Sequence, residues 1–429
     1  MPIQLEFCRD SSSVALEKVL LQGNKITSLT IYHHLARIPL LHELFTSSRP
    51  FVEQLYIRCQ KRSGWGSGEQ TAHEIWQDLP SLRELFVCRY SIPIDQLAAP
   101  NLVHLALEEA GFHREVTVQS ILNALRGCPR LETLLISRSH VTQDPTRHHS
   151  PVSLPHLSSI ELGADEVRSG LMVHLRFPQN IAAGFRMLPS VDVCGDIPPT
   201  TLATIQQVLG RVDIHHITFA VPPYPGENPD ILVRFEGLGT SLEITTYAET
   251  HEELGAIFFG DRGLLFSHSP RIENVRELHI IGCHFVDRQV LDHVSAAMPN
   301  IVSISFVHCR EPQAFVLPPN TEVIPPAPLF PHLERVMVLG SVSGLIRIAE
   351  TRRDDGVPLK TLVVGQWSEG FEYDRPEDDS LLGEFVDELH IDCPTEALEW
   401  GTENKILNTW STVEIPCPVS SSRKLVVPG

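Results

Sequence analysis

Histidine and cysteine are the residue types of this chain that could hold a metal ion, and the sequence contains 21 histidines and 9 cysteines. Adjacent side chains point away from each other on a strand, whereas metal ligands lie two residues apart on a strand or four apart on a helix. Three pairs of histidines are adjacent: His33–His34, His148–His149 and His215–His216. Their spacing therefore predicts no metal site.

Motifs typical of catalysis and of phosphate binding are missing from the sequence. The glycine-rich segment SGWGSG, within residues 62–70, is not followed by Lys-Ser or Lys-Thr, so we expect a surface loop rather than a phosphate-binding loop. The sequence has no H-E-x-x-H zinc motif, no G-x-S-x-G nucleophile motif and no D-x-D-x-D-G calcium loop. We therefore expect neither an enzyme nor a bound cofactor.

A strand-like pattern recurs fourteen times and is expected to form the framework of the protein. Each copy is centred on an apolar residue, the anchor, and successive anchors are 20–36 residues apart. That spacing is typical of leucine-rich repeats, whose unit is L-x-x-L-x-L-x-x-N/C. The anchors are Leu29, Leu55, Leu85, Leu105, Leu134, Ile160, Val191, Ile217, Leu242, Leu278, Ile304, Val336, Leu362 and Leu389.

The residues around the anchors alternate between apolar and polar types. All fourteen residues directly before an anchor are polar, from Ser28 to Glu388, and all fourteen placed two residues after it are apolar, from Ile31 to Ile391. Three residues before the anchors, only Gly239 is not apolar. Alternation with a period of two is typical of strands with one buried and one solvated face.

Proline and cysteine recur at fixed positions of the same pattern. Proline favours extended backbone in the residue before it and marks the entry to a strand. Seven of the 33 prolines lie five residues before an anchor: Pro50, Pro80, Pro100, Pro129, Pro155, Pro299 and Pro331. Cys283 and Cys309 occupy the Asn/Cys position of the repeat, five residues after their anchors. Because that position is structural, we do not expect a zinc site there with the neighbouring His284 and His308.

Short amphipathic segments between the predicted strands are expected to be helices. Val116–Leu125 stops before Gly127, and Thr201–Leu209 stops at Gly210, as helices commonly do. A turn at Asp354–Gly356 is expected to end another helix. The remaining segments of this kind are His33–Phe45, Glu74–Leu79, Arg288–Met298 and Leu345–Thr351.

Together these features predict an α/β fold, a leucine-rich-repeat solenoid shaped as a horseshoe. A parallel β-sheet is expected on its concave face, with helices and loops on the convex face. The solenoid of about 14 repeats would span residues 26–394. We expect an N-terminal helical cap at residues 1–25 and a C-terminal cap or tail at residues 395–429.

Composition argues against two classes of partner. The net charge is −19, and the clustered Lys and Arg that bind phosphate backbones or anionic lipids are missing from the sequence. We therefore expect no nucleic acid and no membrane partner. The first residues, MPIQLEFCRDSSS, do not resemble a signal peptide, and no apolar run is long enough to cross a membrane. Scattered cysteines in odd number are typical of reduced thiols, which predicts a cytoplasmic or nuclear location.

Four segments resemble the leucine-rich-repeat region of fungal F-box proteins, especially those of mushrooms. They are LPSLRELFV at Leu79–Val87, APNLVHLAL at Ala99–Leu107, CPRLETLLI at Cys128–Ile136 and FPHLERVMV at Phe330–Val338. The resemblance extends over residues 26–391 and implies a substrate-recognition arm. In that family an N-terminal F-box of the type L-P-x-E-[LI]-x-x-x-I-F recruits the adaptor of a cullin ubiquitin ligase. Met1–Arg49 shows no such motif, so no adaptor-binding residue is assigned.

Three functions are therefore considered. The favoured one is a non-enzymatic protein–protein interaction protein whose repeats bind a protein partner. The second is a substrate receptor of a cullin-type ubiquitin ligase whose F-box is upstream or degenerate, with the ligase adaptor as a partner only in that case. The third is a regulator of a small GTPase.

The residue directly after each anchor is expected to face outward and to form a ladder across the concave sheet. From Tyr56 through Phe86 to Leu135 this ladder is apolar and aromatic, and from Glu161 to Glu243 it is acidic and polar. Aromatic anchors with a polar rim are typical of protein interfaces. The predicted contact patch is Tyr56, Phe86 and Leu135, with Arg83, Glu84 and His104 beside it. The alternative is that these outward side chains only pack on one another or under an N-terminal cap.

Overall fold

The computed structural model describes residues 3–7, 26–33, 52–59, 79–89, 92, 94–109, 116–139, 141–142, 149–163, 166–167, 169–178, 181–186, 209, 213–220, 230–237, 240–247, 272–281, 294–307, 330–339, 345–365 and 383–391. These residues divide into two compact units. Those up to Arg186 form the N-terminal unit, and those from Leu209 onward form the C-terminal unit. The fold is mixed α/β, with mostly parallel sheets and few helices among the described residues.

The N-terminal unit is built on a parallel sheet. Its main strands lie in the order β1-β2-β3-β4-β5-β7-β10-β12, and every neighbouring pair is parallel. Two short pairs, β6 with β8 and β9 with β11, form separate two-stranded sheets. The strands are β1 (Ile3–Phe7), β2 (Ile26–His33), β3 (Gln54–Cys59), β4 (Glu84–Cys88), β5 (His104–Glu108), β6 (Val116–Thr117), β7 (Thr133–Ser137), β8 (Val141–Thr142), β9 (Val152–Ser153), β10 (Ser159–Leu162), β11 (Leu175–Arg176) and β12 (Ala182–Arg186).

The anchors of the N-terminal unit lie side by side in register, as the repeat alignment predicts. Leu55 is opposite Leu85, and Leu105 is opposite Leu134, with the intervening anchors paired in the same way. Every one of these side chains, from Leu29 to Ile160, is at most 2% exposed. Alternation along each strand therefore places the anchors on one buried face, the inner face, as period-two geometry requires.

A turn precedes four strands of this unit and two strands of the C-terminal unit, and it explains the recurring proline. In each case the carbonyl of the residue before the proline accepts a hydrogen bond, 3.0–3.4 Å long. The donor is the backbone N–H of the residue two positions after the proline. Proline suits this place because its fixed φ fits the first central position of a β-turn and it has no N–H to satisfy. The prolines are Pro80, Pro100, Pro129, Pro155, Pro299 and Pro331; Pro50 lies outside the described residues.

The helix of the N-terminal unit confirms one predicted segment with shifted bounds. Helix α1 spans Val118–Arg126, because Val116 and Thr117 form β6 instead. Thr117 caps it by accepting a hydrogen bond of 3.2 Å from the Ser120 N–H, while the Thr117 N–H donates to Ser120 Oγ. Its apolar side chains, including Ile121 and Leu122, are buried, and Gly127 ends it as predicted.

The C-terminal unit combines a parallel sheet with an antiparallel meander. Its strands lie in the order β15-β14-β13-β16-β17-β18-β19-β20, where β13–β14 and β14–β15 are antiparallel and the pairs from β13–β16 to β19–β20 are parallel. The elements are β13 (Ile214–Ala220), β14 (Asp230–Gly237), β15 (Thr240–Tyr247), β16 (Glu277–Ile281), β17 (Ser303–Val307), β18 (Arg335–Leu339), helix α2 (Leu345–Asp354), β19 (Thr361–Gly365) and β20 (Glu388–Ile391).

The meander corrects the prediction of one strand per repeat in sequential order. Ile217 and Leu242 are both strand residues, but β14 lies between their strands and runs in the opposite direction. Only Leu238 and Gly239 separate β14 from β15. Gly239, the exception in the repeat alignment, therefore falls in the sequence between two antiparallel strands, and it lies outside the described residues.

Two further predictions need correction near the N-terminus and after β10. Ile3–Phe7 forms β1, parallel to β2, so the residues 1–25 are not entirely helical. The strand beside β10 is β12, so Gly184 rather than Asp192 pairs with Glu161. Val191 and Asp192 lie outside the described residues, as does the predicted tail at residues 395–429.

Helix α2 confirms the segment predicted from Leu345 and extends it to Asp354. Gly356 follows with a φ of +75°, and the Val357 N–H donates to the Arg352 carbonyl at 2.9 Å, which ends the helix as the sequence predicts. Residues 294–297 are helical, in agreement with Arg288–Met298, whereas residues 34–45, 74–78 and 201–208 lie outside the described part. No helix among the described residues has the length and apolar character needed to cross a membrane.

Candidate functional site

The predicted contact patch lies on the outer face of the N-terminal sheet, the face opposite the anchors. Tyr56 pairs with Phe86, Phe86 with Ala106, and Ala106 with Leu135, so these residues form one continuous row across four strands. All four side chains are half-buried, whereas Leu134 and Ile136 beside Leu135 are at most 1% exposed. The rings of Tyr56 and Phe86 contact each other with centroids 6.3 Å apart and planes tilted by 40°.

A polar row borders this apolar row on the same face. Glu84 accepts hydrogen bonds from Gln54 Nε2 at 3.0 Å and from the Tyr56 hydroxyl, which fixes the phenol ring. His104 Nδ1 lies 2.6 Å from Thr133 Oγ1. Since each strand of the row contributes one polar side chain, the rim runs parallel to the apolar row along the sheet.

The structure therefore brings together five of the six predicted site residues. Tyr56, Phe86 and Leu135 share the outer row, and Glu84 and His104, which pair in register, form the adjacent polar row. Arg83 is exposed and directly precedes β4, where its carbonyl accepts backbone hydrogen bonds from the start of β5.

An ion-pair row follows the strands at their C-terminal ends, and the sequence pattern did not reveal it. Glu109 is 1% exposed and accepts hydrogen bonds from Arg89 Nε at 3.0 Å and from Arg138 Nη1 at 3.4 Å. The hydrogen bond to Glu109 raises the pKa of Arg89. These residues each lie four positions after an anchor and have φ values of 51–56°, so the left-handed backbone recurs at one place in three successive repeats. In the sequence, glycine occupies this place in three other repeats, at Gly195, Gly282 and Gly340, but not in the three that hold the ion pairs.

The outer face of the C-terminal unit differs in burial. Its outer row continues in register from Thr218 through His279, Ser305 and Met337 to Val363; Met337 is half-buried and the other four side chains are only 2–8% exposed. Two residues further along, an apolar cluster of Ala220, Leu232, Ile281 and Val307 is also buried, with Met337 packed against it. The residue after the anchor therefore lies on the outer face but does not meet solvent at these four positions, nor at Thr30 of the N-terminal unit, which is 6% exposed, whereas His390 is exposed.

Of the predicted acidic middle of the outer ladder, Glu161 is an exposed residue of β10. Thr218 is buried, and the side chain of Glu243 on β15 lies outside the described part. The structure therefore does not place a continuous acidic surface there.

A cluster of possible metal ligands lies on the same face of the C-terminal unit. The ligand atoms of His216, Glu277 and His279 are all within 4.8 Å of one another. The imidazoles of His216 and His279 are 4.0 Å apart between centroids, with planes tilted by 32°. Burial, together with the smaller effect of the neighbouring His216, lowers the pKa of His279 to about 3. Burial also lowers the pKa of His216, against the opposing effect of Glu236 and Glu277.

Only part of the signal for this cluster was present in the sequence. Glu277 and His279 lie two residues apart on one strand, the spacing required for a shared face. His216 joins them from β13, whereas the adjacent His215 has the opposite strand parity and approaches Asp213 at 3.6 Å. Adjacent histidines do point apart, as predicted, but the partner of His216 lies on the next strand.

Two cysteines whose side chains the structure describes, Cys88 and Cys128, are free and buried. Burial raises the pKa of the Cys88 thiol to about 12, helped by the nearby Glu108 carboxylate, and burial raises that of Cys128 to about 11. Both are therefore protonated, unreactive packing residues at neutral pH.

Comparison with known proteins identifies no relative: no protein-family model matches this chain, and no curated protein matches its sequence.

Proposed function

We propose that this chain is a non-enzymatic protein-interaction protein of leucine-rich-repeat solenoid type, and that it binds its partner through the outer face of the N-terminal sheet. The observation that supports this most is the continuous row of half-buried apolar side chains at Tyr56, Phe86, Ala106 and Leu135. The anchors on the opposite face of the same strands already form the buried core. The side chains of this row therefore add apolar surface outside that core.

The solenoid assignment is supported by features that recur once per repeat. These are the in-register anchors, the proline turn before six of the strands and the left-handed residue after three successive strands. In a solenoid each repeat buries its apolar edge by stacking on the next one, and its strand pairs in parallel with the strand of the preceding repeat. The meander of the C-terminal unit is an interruption of that scheme.

The polar row is expected to orient the partner on the proposed surface and to make binding specific. Glu84 holds the Tyr56 hydroxyl and Gln54, so the aromatic side chain is fixed before binding and loses little entropy on contact. A partner that fits would place apolar side chains over Phe86 and Leu135 and hydrogen-bond donors or acceptors over Glu84 and His104. The buried free thiols are in keeping with a reduced compartment, so we place this function in the cytoplasm or nucleus.

The test is binding by a variant with both aromatic side chains truncated, Tyr56→Ala with Phe86→Ala. A partner is captured from an extract, identified by mass spectrometry and purified, and its dissociation constant for the chain is then measured by calorimetry. Loss of interface aromatic side chains is expected to cost about 1–3 kcal/mol, or about 5- to 150-fold in affinity. The control is Val173→Ala, which truncates an apolar side chain that is 50% exposed and lies outside the row. Equal affinity of wild type and a folded double variant would place the binding surface elsewhere.

A separate measurement distinguishes this function from that of a ubiquitin-ligase receptor. We expect the chain and the purified cullin-ligase adaptor to elute separately in gel filtration, since Met1–Arg49 contains no F-box motif. A stoichiometric complex would instead favour the receptor function.

A further inference from the structure

Three side chains that can bind metal converge on the outer face of the C-terminal sheet. β13 and β16 are parallel neighbours in which His216 pairs with Glu277, and the residues two further along, Thr218 and His279, also pair. The period of two along each strand therefore sends His216, Glu277 and His279 to one face. Their ligand atoms all lie within 4.8 Å of one another.

The orientation of His216 is fixed by contacts on both ring nitrogens. Its Nδ1 lies 3.6 Å from Glu277 Oε2 and 4.0 Å from Glu236 Oε2, and its Nε2 lies 3.3 Å from Thr218 Oγ1. When Nε2 carries the proton and donates it to Thr218, the Nδ1 lone pair faces the two carboxylates. Metal-binding imidazoles are commonly held in place by a hydrogen bond from the ring nitrogen that does not bind the metal.

We propose that His216, Glu277 and His279 form a binding site for a divalent transition-metal ion, of which Zn²⁺ suits the ligands best. Two imidazole nitrogens and one carboxylate oxygen are a recurrent three-ligand set for Zn²⁺, with a fourth position open to water or to a group of another molecule. Mg²⁺ and Ca²⁺ prefer sets made of oxygen ligands, so the two histidines select against them.

The cluster is open to an ion and has carboxylates beside the two imidazoles. Glu277 has a 52% exposed side chain and provides a route for an ion from solvent. Glu236 adds a second carboxylate, which offsets the charge of the nearby Arg234 guanidinium, 4.0 Å from it.

Binding requires a small rearrangement of the side chains. Ligand atoms around tetrahedral Zn²⁺ are separated by about 3.3 Å, since each lies about 2.0–2.1 Å from the metal. The separation of 3.6 Å between His216 Nδ1 and Glu277 Oε2 is already close to that value. The ion must also lie near the plane of each imidazole, so the tilt of 32° between the rings is expected to increase when the metal binds.

The experiment is a Zn²⁺ titration of the full chain against a colorimetric chelator, with three variants. Glu277→Gln removes the anionic ligand from a half-exposed position, and His216→Gln removes one nitrogen ligand. His215→Gln is the matched control, because His215 is the adjacent histidine and lies outside the cluster. We expect Zn²⁺ affinity to fall by about 10- to 100-fold in Glu277→Gln and His216→Gln, and to stay unchanged in His215→Gln.

Titration with Co²⁺ separates this site from the cysteines of the chain. Co²⁺ held by nitrogen and oxygen ligands gives visible absorption without the near-ultraviolet charge-transfer band that thiolate ligands produce. We expect that spectrum in the wild type and its loss in Glu277→Gln, with circular dichroism showing that the variant is folded. Equal Zn²⁺ affinity in the wild type, Glu277→Gln and His216→Gln would overturn the proposal, as would a thiolate spectrum or no binding by the wild type.

Discussion

In the N-terminal unit the residue after each anchor is half-buried at Tyr56, Phe86 and Leu135, whereas in the C-terminal unit the same position is buried at His279 and Ser305. The strand register is equally regular in both. Register alone therefore does not decide which face of a repeat sheet meets solvent.

The difference follows from the residues three positions after the anchors. In the C-terminal unit these include Ala220, Ile281 and Val307, which form a buried apolar cluster on the outer face. In the N-terminal unit the same position holds the exposed Arg58, the buried Cys88 and the half-buried Glu108 and Ser137. A second apolar row makes burial of the whole face favourable, while charged side chains at this position keep it hydrated. The N-terminal outer face is thus the one that is suited to a partner.

The largest effect is expected from the inner face of the N-terminal unit. Leu134→Ala should destabilise the protein by about 2–5 kcal/mol, because a fully buried anchor leaves a cavity. The matched variant Leu135→Ala, on the adjacent outer position, should cost much less since Leu135 is half-buried. Urea unfolding measures both, and equal losses would mean that the two faces are not distinct.

A second test addresses the outer face of the C-terminal unit. Val307 is 0% exposed, so Val307→Ala should cost about 2 kcal/mol from lost burial of its methyl groups and the cavity left behind. Arg58→Ala, at the equivalent place in the N-terminal unit, should change the free energy of unfolding by less than about 0.5 kcal/mol. If the two variants unfold at the same urea concentration, the contrast between the outer faces is not real.

Ion pairs offer a third comparison between the units. Glu109→Gln should cost about 1–2 kcal/mol, because a buried carboxylate then no longer satisfies Arg89 and Arg138. The Lys360–Glu334 pair of the C-terminal unit is shorter, at 2.6 Å, but both side chains are largely exposed. Glu334→Gln should therefore cost less than about 0.5 kcal/mol. Thermal unfolding at low and high salt measures both, and a larger effect at Glu334 would contradict the burial of Glu109.

The smallest effect concerns Cys88, which is buried although it lies on the outer face of the N-terminal unit. Its pKa is raised to about 12, so the thiolate is scarce at pH 8 and reaction with iodoacetamide should be slow in the native chain. Peptide mass spectrometry compares native and urea-unfolded samples. Rapid alkylation of Cys88 in the native chain would show that this part of the face is open to solvent.

Much of the framework was predictable from sequence because it depends on local repetition. The period of two around anchors such as Leu134, the proline turns and the stop of α1 at Gly127 each follow from the chemistry of the residues present. The meander was missed because β14 carries an apolar pattern like its neighbours, and only Gly239 indicated the hairpin. Whether two neighbouring strands are parallel or antiparallel depends on the length of the segment that connects them, and a pattern of anchors does not include that length.

The candidate sites show the same limit. The row of Tyr56, Phe86 and Leu135 was predictable because each lies at one repeat position on neighbouring strands. The cluster of His216, Glu277 and His279 was not, since it depends on which strand lies beside β13. The separation of 61 residues between His216 and Glu277 is twice the usual repeat, because β14 and β15 intervene.

Hydroxyl-radical footprinting of the free chain and of its complex with the purified partner tests the central claim most directly. We expect Tyr56, Phe86 and Leu135 to be oxidised in the free chain and protected in the complex. His279 and Val363, at the same repeat position in the C-terminal unit, should react weakly in both states because they are buried. Equal oxidation of Tyr56 and Phe86 with and without partner, or strong oxidation of His279 in the free chain, would contradict this account.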